Sequence, residues 1–357
     1  MGCGRCGPLC SSTVLKSMGT LARASKALRT PSQGHSGNPP NPHPINFLLY
    51  YNPISPLTSR FSGSATPSTE LYVSIDMILN LFKYYPPKYQ NTWNLAFYER
   101  GDIYFQQPAK FNDPWDCKVP NVSVPRQLKF LKDFLFYITE DCGVDYSIAE
   151  WEKTKKLPRP KVRDKFKRLF ERAVELLRSN MGVFSTSCIP DSELLWSHYG
   201  LSHKGYILHF EITLEEYDTN PSLKETGIPI PVIYVDKRPK WNLAAYYSNR
   251  EKHICDLIKY KSSAWSYEYE IRLLNEDRYG FIKIPDSWLK SIIIGLDSDP
   301  ELKDQLLSAG KELNTPVYSA EMDSSEFRVN IPGFNIDGNY GIKHYHDIIA
   351  SNVLNLN

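Results

Sequence analysis

Two glutamates one residue apart, Glu268 and Glu270, stand where the aromatic run Trp265-Ser266-Tyr267 leads into the apolar Ile271-Arg272-Leu273-Leu274. The pattern from Tyr267 to Leu274 predicts a strand, and residues two apart on a strand share a face, so both carboxylates project toward one cleft. There a carboxylate can stabilise a developing positive charge while its neighbour orients a second reactant. Ser185-Thr186-Ser187 repeats the spacing on a predicted strand from Val183 to Ser187, which puts the Ser185 and Ser187 hydroxyls together. Lys83, on a predicted strand from Leu81 to Tyr85, supplies a cation suited to a phosphate. A strand with Glu268 and Glu270 on its solvent face, paired to Lys or Arg, accounts for the spacing equally well.

A second set, Asp113, Asp116, His198, His203, Glu268 and Glu270, has the residue types of a metal-dependent nuclease or phosphodiesterase. His198 and His203 stand five apart across Gly200, whereas helical zinc ligands stand four apart, and no metal site is assigned. Asp113 and Asp116 around Pro114 also fit turn capping, and the two histidines fit hydrogen-bonded structural positions. In a third, non-catalytic reading, Trp196, His198 and Trp265 form a recognition surface of a binding module. The basic helix holding Lys161, Arg163, Lys165, Lys167, Arg168, Arg172 and Arg178 also carries Glu171 and Glu175 at salt-bridge spacing, as a solvated outer face would. Cys188 reads either as a nucleophile beside a histidine or as a buried apolar thiol.

The elements that must position these groups follow from periodicity. Strands are predicted over Leu81–Tyr85, Ile103–Phe105, Val183–Ser187, Gly205–Ile212, Val232–Val235, Tyr267–Leu274, Phe281–Ile284 and Ile292–Ile294. Helices are predicted over Trp93–Glu99, Arg126–Ile138, Lys161–Arg178, Ser192–Tyr199, Leu243–Tyr260 and Pro300–Gly310, with Gly182 as a helix stop. Without regular alternation of strand and helix, this order points to an α+β fold, a single domain with a mixed or antiparallel sheet and flanking helices. Its expected cleft is lined by Val183–Ser187, Trp196–Lys204 and Tyr267–Arg272.

Charge divides the chain in two. Residues 1–69 hold six of the 42 Lys and Arg and none of the 40 Asp and Glu, so residues 70–357 carry a formal −4. That balance argues against generalised binding to nucleic acid or an anionic membrane. The first 69 residues also hold nine of the 26 prolines and read as a disordered basic leader: a misassigned start, a transit-like segment over Val14–Arg29, or an acylation signal at Gly2-Cys3. Cys3-x-x-Cys6 has no second pair at zinc-finger spacing. The remaining cysteines are widely spaced and no signal peptide precedes the sequon at Asn121, so reduced thiols in the cytoplasm are expected. No apolar run approaches the ~20 residues needed to cross a bilayer.

Three motifs in order carry a resemblance: Phe111-Asn112-Asp113-Pro114-Trp115-Asp116; Trp196-Ser197-His198-Tyr199 with His203-Lys204-Gly205; and Trp265-Ser266-Tyr267-Glu268-Tyr269-Glu270-Ile271-Arg272. Together they look like the prokaryotic family called domain of unknown function 2971, over about residues 80–297. The resemblance implies a compact bacterial-type domain and brings no activity. Asn112, Asp113, Trp196, His198, Tyr199, His203, Lys204 and Arg272, which stand within these motifs, are the further residues expected in the cleft. The order Lys83, Ser185-Thr186-Ser187, Glu268-x-Glu270 is in turn similar to the basic, Ser-Thr-Ser and Glu-x-Glu elements of mono-ADP-ribosyltransferases, with Lys where Arg or His is usual. This second resemblance implies NAD as the consumed cofactor. Glu270 would stabilise the oxocarbenium charge, Glu268 orient the acceptor, Lys83 meet a phosphate, and Ser185 and Ser187 position the nicotinamide ribose.

Overall fold

A computed structural model describes residues 78–89, 92–93, 97, 101–118, 122–213, 216, 226–248, 250–335 and 341–350. The leader, with its cysteines and candidate targeting signals, lies outside the described residues. So does most of the predicted helix Trp93–Glu99, of which Trp93 lies in a short strand and Phe97 is helical.

The scaffold is a seven-stranded mixed sheet flanked by helices, the α+β architecture expected. Its strands are β1 (Ile78–Tyr85), β2 (Gly182–Ser187), β3 (Tyr206–Thr213), β4 (Ile228–Pro231), β5 (Glu270–Asn275), β6 (Leu289–Ile294) and β7 (Val317–Ser319). Their order across the sheet is β7-β6-β3-β1-β2-β5-β4, antiparallel throughout except for the parallel pair β6–β7. Pro229 and Pro231, which donate no ladder hydrogen bond, sit on the edge strand β4, where one side needs no partner.

Apolar residues line both faces of the inner strands. Leu79 and Leu81 of β1 pack with Phe184, Ile271 and Leu273, while Phe82 and Tyr84 pack on the opposite face with Trp196, Ile207 and Ile293. A third cluster joins Val183, Ile230 and Leu274 to helices α1 (Leu128–Cys142) and α3 (Arg159–Asn180), whose Phe134, Phe166 and Phe170 recur at helical spacing. Between them lies α2 (Ile148–Thr154), which the sequence reading missed. Ser147 and Glu150 close its first turn as a capping box. Next come α4 (Glu193–His198), α5 (Leu243–Ser248), α6 (Arg250–Lys259), α7 (Pro300–Glu312) and α8 (Gly341–Ala350); the predicted helix Leu243–Tyr260 is thus two helices.

Two expectations fail for physical reasons. The helix before Gly182 already ends at Asn180, with Met181 extended, so Gly182 begins β2; glycine is required there because a Cβ would stand 2.5 Å from the Arg278 carbonyl oxygen. The predicted strand from Tyr267 instead starts at Glu270: Ser263–Glu268 is a 3-10 turn, and Tyr269 takes left-handed dihedrals (φ 44°, ψ 53°) at the junction. Glu268 and Glu270 are therefore not neighbours on one strand face.

The sheet feature that makes room for a site is a split. β1 pairs with β3 along its whole length, from Ile78↔Thr213 to Tyr85↔Tyr206, but with β2 only at Phe82↔Ser187. Beyond that pair the two central strands part, and Lys83 enters the gap.

Candidate functional site

A cavity of about 310 Å³ opens at this split, with Lys83, Ser185, Ser187, Glu268 and Glu270 all in its wall. At its base lies an ion network. The Arg272 guanidinium, 0% exposed, donates from Nε to Glu270 Oε1 (2.8 Å) and from Nη2 to Glu270 Oε2 (2.9 Å). It also donates from Nη1 and Nη2 to the two oxygens of Asp116 (3.0 and 2.6 Å) and from Nη1 to the Ile258 carbonyl (2.7 Å). Such a planar fork between two carboxylates satisfies the charges that burial would otherwise penalise.

Lys261 ties Glu268 to this core. A two-stranded parallel ribbon places it opposite Tyr234, and its Nζ donates to Glu268 Oε2 (2.5 Å) and Glu270 Oε2 (3.0 Å). The other Glu268 oxygen accepts from the Tyr199 hydroxyl (2.6 Å), and the Tyr234 hydroxyl accepts from the Glu270 amide (2.9 Å). The left-handed Tyr269 between the glutamates turns both carboxylates onto one ammonium. A non-glycine residue in that region costs roughly 1–3 kcal/mol, a strain that the surrounding network sustains.

The two carboxylates are driven apart in acidity. Burial acts to raise Glu270, but Arg272, Lys261 and a Ser185 hydrogen bond outweigh it and hold the carboxyl well below its usual range. Burial and the charge of Glu270 raise Glu268, against the pull of Lys261 and Tyr199. Burial likewise lowers Lys83 to about 8, against the two glutamates, and its Nζ donates to the Ser185 carbonyl (2.8 Å). Lys261 is raised to about 12: burial opposes the charged form, but the surrounding carboxylates prevail over burial and Arg272. Paired carboxylates of unlike acidity in a cavity are the arrangement from which a fixed anion and a proton acceptor are drawn.

The structure sorts the sequence candidates. Lys83, Asn112, Ser185, Ser187, Tyr199, Glu268, Glu270 and Arg272 line the cleft, although the Ser187 hydroxyl is committed to the Glu268 carbonyl (2.6 Å). Asp113 lines an adjoining cavity and caps its own turn, its Oδ1 accepting from the Trp115 amide (2.8 Å). Asp116, which turn chemistry equally fitted, instead faces Arg272 from the cleft wall.

Trp196, His198, His203 and Lys204 line neither cavity. Trp196 is fully buried, its indole donating to the Pro190 carbonyl (2.9 Å). His198 and Lys204 are exposed, the former against the Tyr267 hydroxyl (3.1 Å). Leu201, Ser202 and His203 all have positive φ and form the turn that returns the chain from α4 to β3, the His203 ring stacking on Trp196. Gly205 closes that turn, since a Cβ there would stand 1.9 Å from the Tyr85 carbonyl oxygen. The histidine motif is thus a scaffold beside the cleft. Cys188 is buried, with its thiol pushed up by burial; Arg178 of the basic helix pairs with Glu175 (2.5 Å), as the spacing suggested, but is itself buried and also bonds the Pro108 carbonyl (3.0 Å). Sequence reasoning missed Lys261, whose isolated Tyr-Lys-Ser context looks like any surface lysine, and Tyr234.

Residues 195–273 match the family described as Protein of unknown function (DUF2971). The family to which the three motifs pointed is therefore found over this stretch. The DUF2971 segment supplies Tyr199, Lys261, Glu268, Glu270 and Arg272, the acidic wall and most of its counter-ions, while Lys83, Asp116 and Ser185 come from outside it. No curated protein and no solved structure matches the chain.

Proposed function

We propose that the cleft binds the nicotinamide–ribose end of NAD, breaks the glycosidic bond and passes the ADP-ribosyl group to an acceptor. The observation that carries this reading is the convergence of Lys83, Ser185, Glu268 and Glu270, from distant parts of the chain, on one cavity. In the step, the bond between ribose C1′ and the pyridinium nitrogen breaks, nicotinamide leaves neutral with the electron pair, and positive charge develops on the ribose. Glu270, kept ionised by Arg272 and Lys261, meets that charge with a fixed anion, and its contribution is electrostatic. Glu268, the more basic carboxylate, accepts the proton that the attacking acceptor loses, and Lys83 faces the phosphate next to the ribose.

The metal-dependent nuclease reading draws no comparable support. His198 and His203 do not line the cleft, Asp116 is bonded to Arg272, and among the described residues no group of three or more His, Cys, Asp or Glu could hold a metal ion. A recognition surface containing Trp196 is unsupported because that ring is buried. Free buried thiols at Cys117, Cys188 and Cys255 support a reducing, cytoplasmic setting, and among the described residues no helix is long and apolar enough to cross a membrane.

The test separates the two glutamates. With NAD and a nucleophilic acceptor, Glu270→Gln is expected to lose bond cleavage altogether. Glu268→Gln is expected to lose transfer while retaining slow hydrolysis. Equal loss of both reactions in both variants would contradict the assigned roles.

A further inference from the structure

A second cavity, of about 520 Å³, adjoins the cleft and shares Asn112 and Lys261 with it. Its wall carries Trp115, Tyr260 and Trp265 together with the cations Lys118 and Arg238. Trp115 is 67% exposed and makes no ring contact among the described residues, an unusual position for the largest apolar side chain. Its backbone is nonetheless held in place, because Pro114 stiffens the turn and the Trp115 amide donates to Asp113 Oδ1. Arg238 is anchored by a hydrogen bond to the Lys118 carbonyl oxygen, and both residues line the space. Of the three carboxylates in the wall, Asp236 accepts from the Ser263 hydroxyl (2.5 Å) and Asp113 caps its turn, while Asp256 stands on α6 beside Tyr260.

We propose that this cavity is an adenosine-diphosphate site, with the purine stacked on Trp115 and the phosphates at Lys118 and Arg238. It rests on the reading of the cleft as the nicotinamide–ribose site: the two cavities share Asn112 and Lys261 in their walls, so a dinucleotide seated by its nicotinamide end in the first extends into the second. Rings that stack without reading a base edge bind tightly but tolerantly, so other purine diphosphates bind here too.

ADP and nicotinamide mononucleotide, titrated separately into the full chain by calorimetry, test the assignment. Trp115→Ala, at an exposed position, is expected to weaken ADP about tenfold or more and leave nicotinamide mononucleotide unchanged; Arg238→Gln is expected to weaken ADP in the same direction. Unaltered ADP affinity in Trp115→Ala, or no ADP binding at millimolar concentration, overturns the site. Nicotinamide release, followed in parallel, keeps the two claims separate. ADP binding that depends on Trp115 without any NAD cleavage supports the cavity and removes the proposed reaction. Cleavage with a KM for NAD indifferent to Trp115→Ala does the reverse.

Discussion

Arg272→Met removes the guanidinium that bridges Glu270 and Asp116. The side chain is 0% exposed and makes two bonds to Glu270 and two to Asp116, so the variant leaves both acids under the protein with Lys261 alone nearby, 3.0 Å from Glu270 and 3.8 Å from Asp116. Breaking a buried pair by deleting one partner costs about 3–5 kcal/mol, since the remaining charge stays uncompensated. At ~2–4 °C per kcal/mol for a domain of this size, the melting midpoint falls on the order of 10 °C. The pH dependence has a definite sign. In the native protein the folded carboxyl of Glu270 lies below its ordinary value, so its stabilisation is present above about pH 4.5 and is lost as pH falls toward the folded value. Without Arg272 the ionised form of Glu270 is disfavoured by burial, and the penalty grows as pH rises through about 4.5. Urea unfolding of native and variant protein should therefore show a wide gap at neutral pH and a narrower one near pH 4. A gap under about 1 kcal/mol at neutral pH, or one that widens in acid, would refute the claim that Arg272 organises the site.

Other consequences follow from the same geometry. Gly205→Ala places a Cβ against the Tyr85 carbonyl and should cost roughly 1–3 kcal/mol in urea unfolding; an unchanged midpoint would show that the turn relaxes freely. Because Lys83 is lowered to about 8, its amine loses charge above that pH, so the KM for NAD should rise from about pH 7 to 9 while Lys83→Met gives a raised but flat profile. A profile for Lys83→Met that keeps the native slope would move the titration to another group. Ser147→Ala should cost about 1 kcal/mol of stability through the lost capping box, with no effect on nucleotide binding.

How far the sequence reached is clearest at the glutamates. Their spacing led to a shared cleft, and they do share one, but through a left-handed Tyr269 and not through strand alternation. Backbone dihedrals of a single aromatic residue leave no signature in hydrophobic period. Strands such as Val183–Ser187 and Gly205–Ile212 were legible because both faces are apolar or alternate cleanly, and α1 and α3 because their phenylalanines recur at helical spacing. The partnership of Asp116 with Arg272, 156 positions away, was not legible, because local turn chemistry accounts for Asp116 equally well until the partner is seen. The same limit hid Lys261. His198 and His203 drew attention by residue type and by the motif that holds them, whereas the structure puts His198 at the end of α4 and His203 in a turn built on positive φ angles.

The measurement that bears most directly on the central claim is release of free nicotinamide from NAD by the purified protein and by Glu270→Gln, with unfolding midpoints recorded for both. The account predicts release by the native protein and none by a folded Glu270→Gln. Release at the native rate by that variant, or no release by the native protein with a nucleophilic acceptor supplied, would contradict it.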